Sequence, residues 1–169
     1  LVFDTSNTKS NFSFFTKQNK LFIVETSEDE TTKNYYYSTI ENESFQFKNF
    51  IKDDKSNLEL LNIINDKFYF SDEKYSWGNI SYFDINNRTE NTILIPQVYS
   101  HLLVGATFLE NYIICKYDNM GKYYMSIHDY TGKFIRKFEA PHSMDFQIRF
   151  YDEKTNELFV TFYSYTISS

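Results

Sequence analysis

The residues able to act as nucleophiles, proton carriers or metal ligands are few and widely separated in this 169-residue chain. Its three histidines are His101, His128 and His142, and its single cysteine is Cys115. No two histidines stand four residues apart, the spacing that brings two ligands to one face of a helix, and no cluster of cysteine and histidine forms. We therefore predict no metal site and no cofactor.

His128 and Cys115 both belong to apolar, strand-like segments. His128 stands at the end of one such segment beside Asp129, where a hydrogen bond to the following turn is expected in preference to a catalytic pairing. Cys115 continues the apolar run Ile113-Ile114, so a small buried side chain is expected rather than a reactive thiol. Neither residue is predicted to carry out chemistry.

Serine hydrolases of the α/β type place their nucleophile in a Gly-x-Ser-x-Gly turn, because glycine permits the strained backbone around it. The four glycines of this chain are Gly78, Gly105, Gly121 and Gly132, and no two of them stand four residues apart. The pentapeptide is therefore absent from the sequence. The chain is not predicted to contain the catalytic domain of such an enzyme, and we propose no catalytic residue in it.

Three acidic clusters and one aromatic loop are the remaining candidates. The clusters at 28–30, 53–54 and 72–73 lack the alternating oxygen ligands and the glycine of a calcium loop, so solvated loop charge is expected. Trp77 stands beside Gly78 and two residues after Tyr75, and it could stack on a sugar or peptide, although packing between structural units is favoured. Four Asn-x-Ser/Thr sequons do not establish secretion in a chain rich in asparagine; they begin at Asn11, Asn42, Asn79 and Asn87.

The composition favours β structure. Fifteen tyrosines, eighteen phenylalanines and one tryptophan make up 20% of the chain, and such residues favour half-buried, pleated surfaces. With only four glycines and two prolines, asparagine and aspartate must form most turns. The net charge of −6 argues against a nucleic-acid or anionic membrane partner. No signal peptide or membrane-spanning run is seen, so a cytoplasmic location is expected.

A short apolar strand recurs four times in the sequence, each time behind a polar turn. The copies are Lys20–Val24, Lys67–Phe70, Asn111–Ile114 and Glu157–Val160, and spacings of 47, 44 and 46 separate the residues taken as equivalent, Leu21, Phe68, Tyr112 and Leu158. Another apolar stretch precedes each turn: Phe12–Phe15, Leu58–Ile64, Leu102–Leu109 and Phe146–Tyr151. Each pair of stretches is typical of a β-hairpin.

A third and a fourth strand follow the hairpin in each of the first three repeats. The third strands are Tyr35–Tyr37, Ile80–Phe83 and Tyr124–Ile127, and the fourth are Phe45–Phe50, Thr92–Ile95 and Phe134–Phe138. Four strands in meander order for every 46 residues or so are typical of β-propeller blades. The hairpin strands are almost continuously apolar, as expected when both faces are covered. A β-sandwich, the alternative, gives no reason for the regular spacing.

We therefore predict an all-β fold, a partial β-propeller of about three and a half four-stranded antiparallel blades with a period near 46 residues. Residues 1–169 form a single domain with blade-like units at about 12–57, 58–100, 101–143 and 144–169. Such a set of blades cannot close a ring, so its ends would expose apolar surface. The chain is expected to be the middle of a larger protein and to be poorly soluble alone.

Two stretches of the C-terminal third carry a family resemblance. Tyr124–Phe138 reads like a strand ending in "hydrophobic-x-Asp-x-x-Gly-Lys" before a closing strand. Asn156–Thr166 reads like a segment of a glutamate-aromatic pair, Phe, Thr-Ser-Phe and Thr-Pro, although the proline is absent here. Both resemble the propeller of the prolyl oligopeptidase family of serine peptidases, which includes oligopeptidase B. Upstream, Leu21–Tyr37 looks like an earlier blade of that family. Asn34 and Ser38 differ from the basic or thiol side chains of some members.

The resemblance implies a seven-bladed propeller joined to a separate α/β-hydrolase domain that holds a Ser-Asp-His triad. The propeller would cover that site and restrict access to short peptides. The leading expectation is a non-catalytic propeller segment, with the hydrolase domain of the same protein and short peptides as its partners. One alternative is a protein-interaction propeller without hydrolase activity. Another is a carbohydrate-binding sandwich that uses Trp77 and Tyr75.

Overall fold

The computed structural model describes residues 9–40, 45–54, 58–72, 74–86, 91–141 and 144–164. Their regular elements are strands: β1 Ser10–Lys17, β2 Lys20–Ser27, β3 Lys33–Thr39, β4 Lys48–Asp54, β5 Leu58–Ile64, β6 Lys67–Asp72, β7 Ile80–Asp84, β8 Thr92–Ile95, β9 Leu102–Phe108, β10 Ile113–Asn119, β11 Lys122–His128, β12 Phe134–Glu139, β13 Asp145–Asp152 and β14 Glu157–Tyr163. No helix among these residues has the length and apolar character needed to cross a membrane.

The strands form three four-stranded sheets and one hairpin within the described residues. The first sheet has the order β1-β2-β3-β4, the second β5-β6-β7-β8 and the third β12-β11-β10-β9, and β13 pairs with β14 in the terminal hairpin. Each strand lies beside its neighbour in sequence, so every sheet is a meander. The predicted all-β partial propeller is confirmed. By its internal contacts the chain divides into two compact units, Leu1–Lys74 with Ser81–Thr92 and Tyr75–Ile80 with Ile93–Ser169.

The predicted strands agree closely with the observed ones, and two of them, β5 and β8, have the predicted bounds. The strand predicted from Phe45 begins instead at Lys48, and the rings of Phe45 and Phe47 stack on each other at 6.1 Å ahead of it. The strand predicted from Asn111 begins at Ile113. Asn111 belongs to the turn, and Tyr112 directly follows it.

In the described part of the chain, three hairpins turn on two residues that both have positive φ, namely Gln18-Asn19, Asn65-Asp66 and Met120-Gly121. Positive φ at both turn residues is the type I′ conformation, whose twist matches that of the flanking strands. Asparagine and aspartate enter this region of φ at low cost because their short polar side chains bond to nearby backbone. This explains how a chain with four glycines makes its tight turns.

The turns also fix which residues of the repeats are equivalent. Leu109 N–H donates to the Tyr112 carbonyl, so Tyr112 is the first residue after its turn, as Lys20 and Lys67 are after theirs. The equivalents of Leu21 are therefore Phe68, Ile113 and Leu158, and the spacings are 47, 45 and 45. The predicted equivalence of Tyr112 with Leu21 is wrong by one residue.

An aromatic cluster joins the first sheet to the second within the first unit. Phe68 of β6 is fully buried, and its ring centroid lies 5.3 Å from that of Phe50 on β4 and 5.3 Å from that of Tyr35 on β3. The Tyr35 hydroxyl donates to the Leu58 carbonyl of β5 at 2.9 Å. Aromatic pairs in such edge-to-face geometry contribute about 0.5–1.5 kcal/mol each beyond the area they bury. The two sheets are thereby held face to face.

Burial along the central strands follows from this packing. Phe68, Tyr69 and Phe70 are consecutive on β6, and their exposed fractions are 0%, 2% and 1%. Since successive side chains of a strand point to opposite faces, both faces of β6 are covered. This confirms the prediction made from the continuous apolar runs. Every residue of β12 is exposed, by contrast, and the residues of β14 are all half-buried or exposed.

A polar contact between two turns accompanies the aromatic cluster. Lys20 Nζ donates to Asp66 at 2.6 Å, and the Asn65 N–H donates to the Gln18 side-chain oxygen at 3.0 Å. The hydrogen bond from Lys20 lowers the pKa of Asp66 more than burial raises it. The two hairpins therefore meet at matched positions of successive repeats.

The turn between β11 and β12 is closed by Asp129. Its carboxylate accepts the N–H groups of Thr131 at 2.8 Å and Lys133 at 3.1 Å, and Gly132 between them has φ +84°. A Cβ on Gly132 would lie 2.1 Å from the Leu94 carbonyl oxygen. Gly132 is therefore required both by its backbone conformation and by the close approach of another backbone.

We expect Gly132→Ala to destabilise the chain by more than about 2 kcal/mol, because the strain of positive φ adds to a backbone clash. Gly121→Ala is the matched control, since Gly121 has φ +81° and nothing within 4 Å of an added Cβ. It should lose only about 1 kcal/mol. Chemical denaturation of both variants measures the difference, and equal losses would show that the Leu94 contact is unimportant.

Candidate functional site

A row of polar side chains is buried inside the third sheet. The register places Cys115 of β10 opposite Ser126 of β11, and Tyr117 opposite Tyr124. Cys115, Ser126 and Tyr117 are all almost fully buried, and the rings of Tyr117 and Tyr124 stack at 5.1 Å. The thiol and hydroxyl groups of this row are groups that serve as nucleophiles in catalytic sites. Their geometry and exposure decide whether the row can be a catalytic site.

His128 is bonded to this row and to the turn that follows it. Its Nε2 lies 2.9 Å from the Ser126 hydroxyl, and its Nδ1 lies 3.3 Å from the Gly132 carbonyl. A carbonyl can only accept, so the neutral ring carries its proton on Nδ1 and accepts the serine proton on Nε2. The predicted hydrogen bond from His128 to the turn is confirmed.

The Ser126–His128 pair does not make a hydrolase site. Both side chains are buried, with exposed fractions of 5% and 8%, so no substrate carbonyl can reach the hydroxyl. The third partner is a carbonyl instead of the carboxylate that stabilises an imidazolium in a triad. The neighbouring Asp129 uses its oxygen to cap the turn through Thr131 and Lys133. The arrangement is a satisfied polar network.

Burial also makes Cys115 inert. Desolvation raises the pKa of its thiol to about 12, which outweighs the pKa-lowering effect of its hydrogen bonding with Tyr117 and Ser126. Burial likewise raises the pKa of the Tyr117 hydroxyl well above its ordinary value. Because the thiolate is the reactive form, Cys115 is not a nucleophile at neutral pH. The prediction of a small buried side chain is confirmed.

The remaining singled-out residues are His101, His142 and Trp77. His101 Nδ1 lies 2.6 Å from the Tyr124 hydroxyl, and His142 lies outside the described residues. Trp77 is half-buried, and its carbonyl accepts the Leu103 N–H at 2.9 Å. Its packing between structural units, and the alternative of sugar stacking with Tyr75, both stay predictions.

The acidic clusters differ from one another. The Asp29 carboxylate is exposed and accepts the hydroxyls of Ser27 and Thr31, which lowers its pKa, so it forms a solvated, self-bonded turn. Asp72 is only 2% exposed and pairs with Lys74 at 2.6 Å, so the prediction of solvated loop charge is wrong there. The side chains at 53–54 and residue 73 lie outside the described part.

Metal and glycan acceptors can be assessed where the chain is described. The described residues contain no group of three histidine, cysteine or acidic side chains able to hold a metal ion. Asn79 is 1% exposed, so its sequon is inaccessible in the folded chain. Asn11 is exposed on β1, and Asn42 and Asn87 lie outside the described residues.

An apolar groove in the second unit lies between the third sheet and β14. Its volume is about 450 Å³, and its walls include Met125, Ile127 and Phe138 of the third sheet and Leu158, Val160 and Phe162 of β14. Arg136 and Glu139 border it with polar groups. Sequence reasoning did not identify this groove, since its walls come from strands about 30 residues apart. The sequence shows only that β14 is apolar at 158, 160 and 162, the positions that line the groove.

A half-buried ion pair ties the third sheet to the terminal hairpin beside the groove. Lys116 Nζ pairs with the Asp145 carboxylate and also donates to the Phe146 carbonyl at 3.0 Å. The Tyr163 hydroxyl donates to Asp145 at 2.8 Å. Burial acts to raise the pKa of Asp145, but the hydrogen bonds from Lys116, Tyr163 and the Phe146 N–H outweigh it and leave that pKa below its usual value.

We expect Asp145→Asn to lower the free energy of unfolding by about 1–3 kcal/mol, because Lys116 keeps its charge in a half-buried position without a counter-ion. Glu139→Gln is the control, since the Lys137–Glu139 pair is solvent-exposed and should contribute little. Because the folded pKa of Asp145 is lowered, its contribution is present above pH 4 or so and lost in more acidic solution. Equal stability of both variants at pH 7 would contradict this.

His128 should make stability depend on pH. Burial lowers its pKa below 6.5, against smaller opposing effects of Gly132 and Asp129, so the unfolded chain binds a proton that the folded chain does not. Stability should therefore fall as the pH drops below about 6.5. His128→Gln should flatten this dependence between pH 7.5 and 5.5 in denaturation experiments, whereas His101→Gln should retain it. An unchanged slope in His128→Gln would refute the assignment.

Comparison with known proteins gives a match in structure alone. No protein-family model matches this sequence, and no curated protein matches it. Among solved structures, a prolyl endopeptidase matches with a TM-score of 0.74 at 14% identity. It comes from a study of inter-domain dynamics in two such enzymes. The match covers 93% of this chain and 23% of that one.

Two further structures agree with it. Prolyl oligopeptidase B from Galerina marginata matches with a TM-score of 0.73 at 12% identity, over 95% of this chain and 24% of that chain. A post-proline cleaving enzyme from Rickettsia typhi matches with a TM-score of 0.54 at 10% identity, over 78% and 21% of the two chains. This chain thus spans about a quarter of the proteins it resembles. The similarity shows the fold alone, and that fold is the partial β-propeller described above.

Proposed function

We propose that this chain is a non-catalytic propeller segment of a prolyl-oligopeptidase-like serine peptidase. The observation that carries the proposal is the structural match over 93% of the chain, with a TM-score of 0.74, to a prolyl endopeptidase. The match covers 23% of that enzyme, which leaves most of its length for other parts. The catalytic α/β-hydrolase domain would be such a part, in the same protein as this chain.

The contribution of this segment would be to gate access of short peptides to a Ser-Asp-His site in the other domain. Its own chemistry supports a purely structural role, since Ser126 and His128 are buried and Cys115 is inert. Stacked sheets with interlocked aromatic side chains are stiff, as a size filter must be. Peptide binding is a documented property of a structural neighbour, because the Galerina marginata enzyme was solved with a 35-residue substrate.

A protein-interaction propeller without hydrolase activity is the second candidate. The family resemblance would then describe shape only, because one fold hosts many functions. Under either function the net charge of −6 supports peptide or protein partners over nucleic acid and anionic membranes. A cytoplasmic location is part of the proposal.

Active-site labelling of the longest native polypeptide that contains this segment should separate the two candidates. A serine-reactive fluorophosphonate should label one serine outside residues 1–169, in a Gly-x-Ser-x-Gly peptide found by mass mapping. The serines of this chain should stay unlabelled, because the chain lacks that motif and Ser126 is buried. A folded full-length protein without any label would favour the interaction propeller.

A further inference from the structure

The tripeptide Asp-Glu-Lys occurs twice in the chain, at 72–74 and at 152–154, and each copy begins at the last residue of a strand. In both copies the lysine N–H donates to Oδ1 of the aspartate, at 3.1 Å in the first and 2.9 Å in the second. Asp152 accepts this bond while half-buried, whereas Asp72 is 2% exposed. Capping of the turn therefore does not explain why Asp72 is buried.

A cavity of about 280 Å³ in the first unit adjoins the Asp72 carboxylate. Its walls include the rings of Phe50, Phe70 and Phe83, and Asp72 and Lys74 also line it. The ring centroids of Phe70 and Phe83 lie 5.5 Å apart, and those of Phe50 and Phe83 lie 6.0 Å apart. The faces of aromatic rings attract cations, and a buried carboxylate needs one. The cavity therefore suits a ligand that joins a cationic group to an apolar stem.

Lys74 shows where the cationic group of such a ligand would lie. Its Nζ pairs with Oδ2 of Asp72 at 2.6 Å, while its side chain stays 56% exposed. Because more than half of this side chain is in solvent, holding it in one rotamer costs conformational entropy that little packing offsets. A ligand ammonium whose stem lies inside the cavity would gain the apolar burial that Lys74 lacks.

The two oxygens of Asp72 have different partners, and this difference selects the kind of cation. Oδ1 accepts the Lys74 N–H, and Oδ2 pairs with the ammonium. A guanidinium binds a carboxylate through two parallel hydrogen bonds, so it would compete with this N–H for Oδ1. An ammonium is a compact point charge and needs Oδ2 alone. The geometry therefore favours lysine over arginine.

We propose that this cavity binds the side chain of a lysine from a partner peptide, whose ammonium replaces that of Lys74 on Asp72. The stem of the ligand lies against the rings of Phe50, Phe70 and Phe83, and Lys74 turns out into solvent. The net charge of −6 attracts such a basic peptide. All residues of the site belong to the first unit, so the proposal holds whether the protein is a peptidase or an interaction propeller.

Calorimetric titration with three short peptides tests the class of ligand. The probe is acetyl-Gly-Lys-Gly-amide, and its two controls carry norleucine or arginine in place of the lysine. The longest native polypeptide that contains this segment should bind the lysine peptide at least about five times more tightly than either control, because norleucine lacks the charge and arginine competes for Oδ1. No binding of the lysine peptide, or equal binding of either control, would overturn the proposal.

Variants of the same polypeptide test the exchange with Lys74. Lys74→Ala should bind the lysine peptide at least about ten times more tightly than the unmodified protein, because the competing ammonium is gone. Asp72→Asn should lose the binding, and Lys154→Ala, at the second Asp-Glu-Lys copy, is the matched control with unchanged affinity. Unchanged affinity in Lys74→Ala, or binding retained by Asp72→Asn, would contradict the exchange. If a variant does not fold, the three titrations of the unmodified protein decide the question.

Discussion

The need to cover apolar sheet faces with a neighbouring sheet is the constraint on which the structure of each unit depends. A strand such as β6 carries apolar side chains on both faces, so its sheet is stable only between two neighbours. In the first unit the aromatic cluster around Phe68 provides this cover, and in the second unit Met125 and Ile114 pack on Phe146 of the hairpin. Each fully buried aromatic or aliphatic side chain contributes about 1.5–3 kcal/mol, so a few such contacts exceed the contribution of any surface ion pair.

Most of the fold could be predicted from the sequence, because the burial of both faces of a sheet requires a pattern of apolar and polar residues that repeats along the chain. A strand covered on both faces must be apolar at successive positions, and the turns before it must be polar, so the pattern repeats wherever a sheet repeats. The errors lie where no burial enforces the pattern. Phe45 is apolar, but it is 41% exposed and precedes its strand. Tyr112 is aromatic, but it lies directly after the turn, where its carbonyl accepts the Leu109 N–H.

The polar interior of the third sheet was less predictable. The bond from His128 to the turn follows from its position, but its bond to Ser126 depends on side-chain direction, and His128 and Ser126 are two apart on one face of β11. Asp72 shows the reverse case, since a carboxylate in an acidic cluster was expected in solvent and is buried against Lys74. The groove could not be predicted, because it depends on how far two separate sheets stand apart.

The meander order of the strands has a consequence for how the chain folds. Among the described residues every strand pairs with a sequence neighbour, and three hairpins close through two-residue turns, so these pairings are unusually local for an all-β protein. Hairpins of this kind form within about 1–10 μs, well before distant segments meet. Local pairing also speeds folding relative to β folds built from remote strands. We expect each sheet to assemble as soon as its own residues leave the ribosome, so that synthesis and folding proceed in the same direction along the chain.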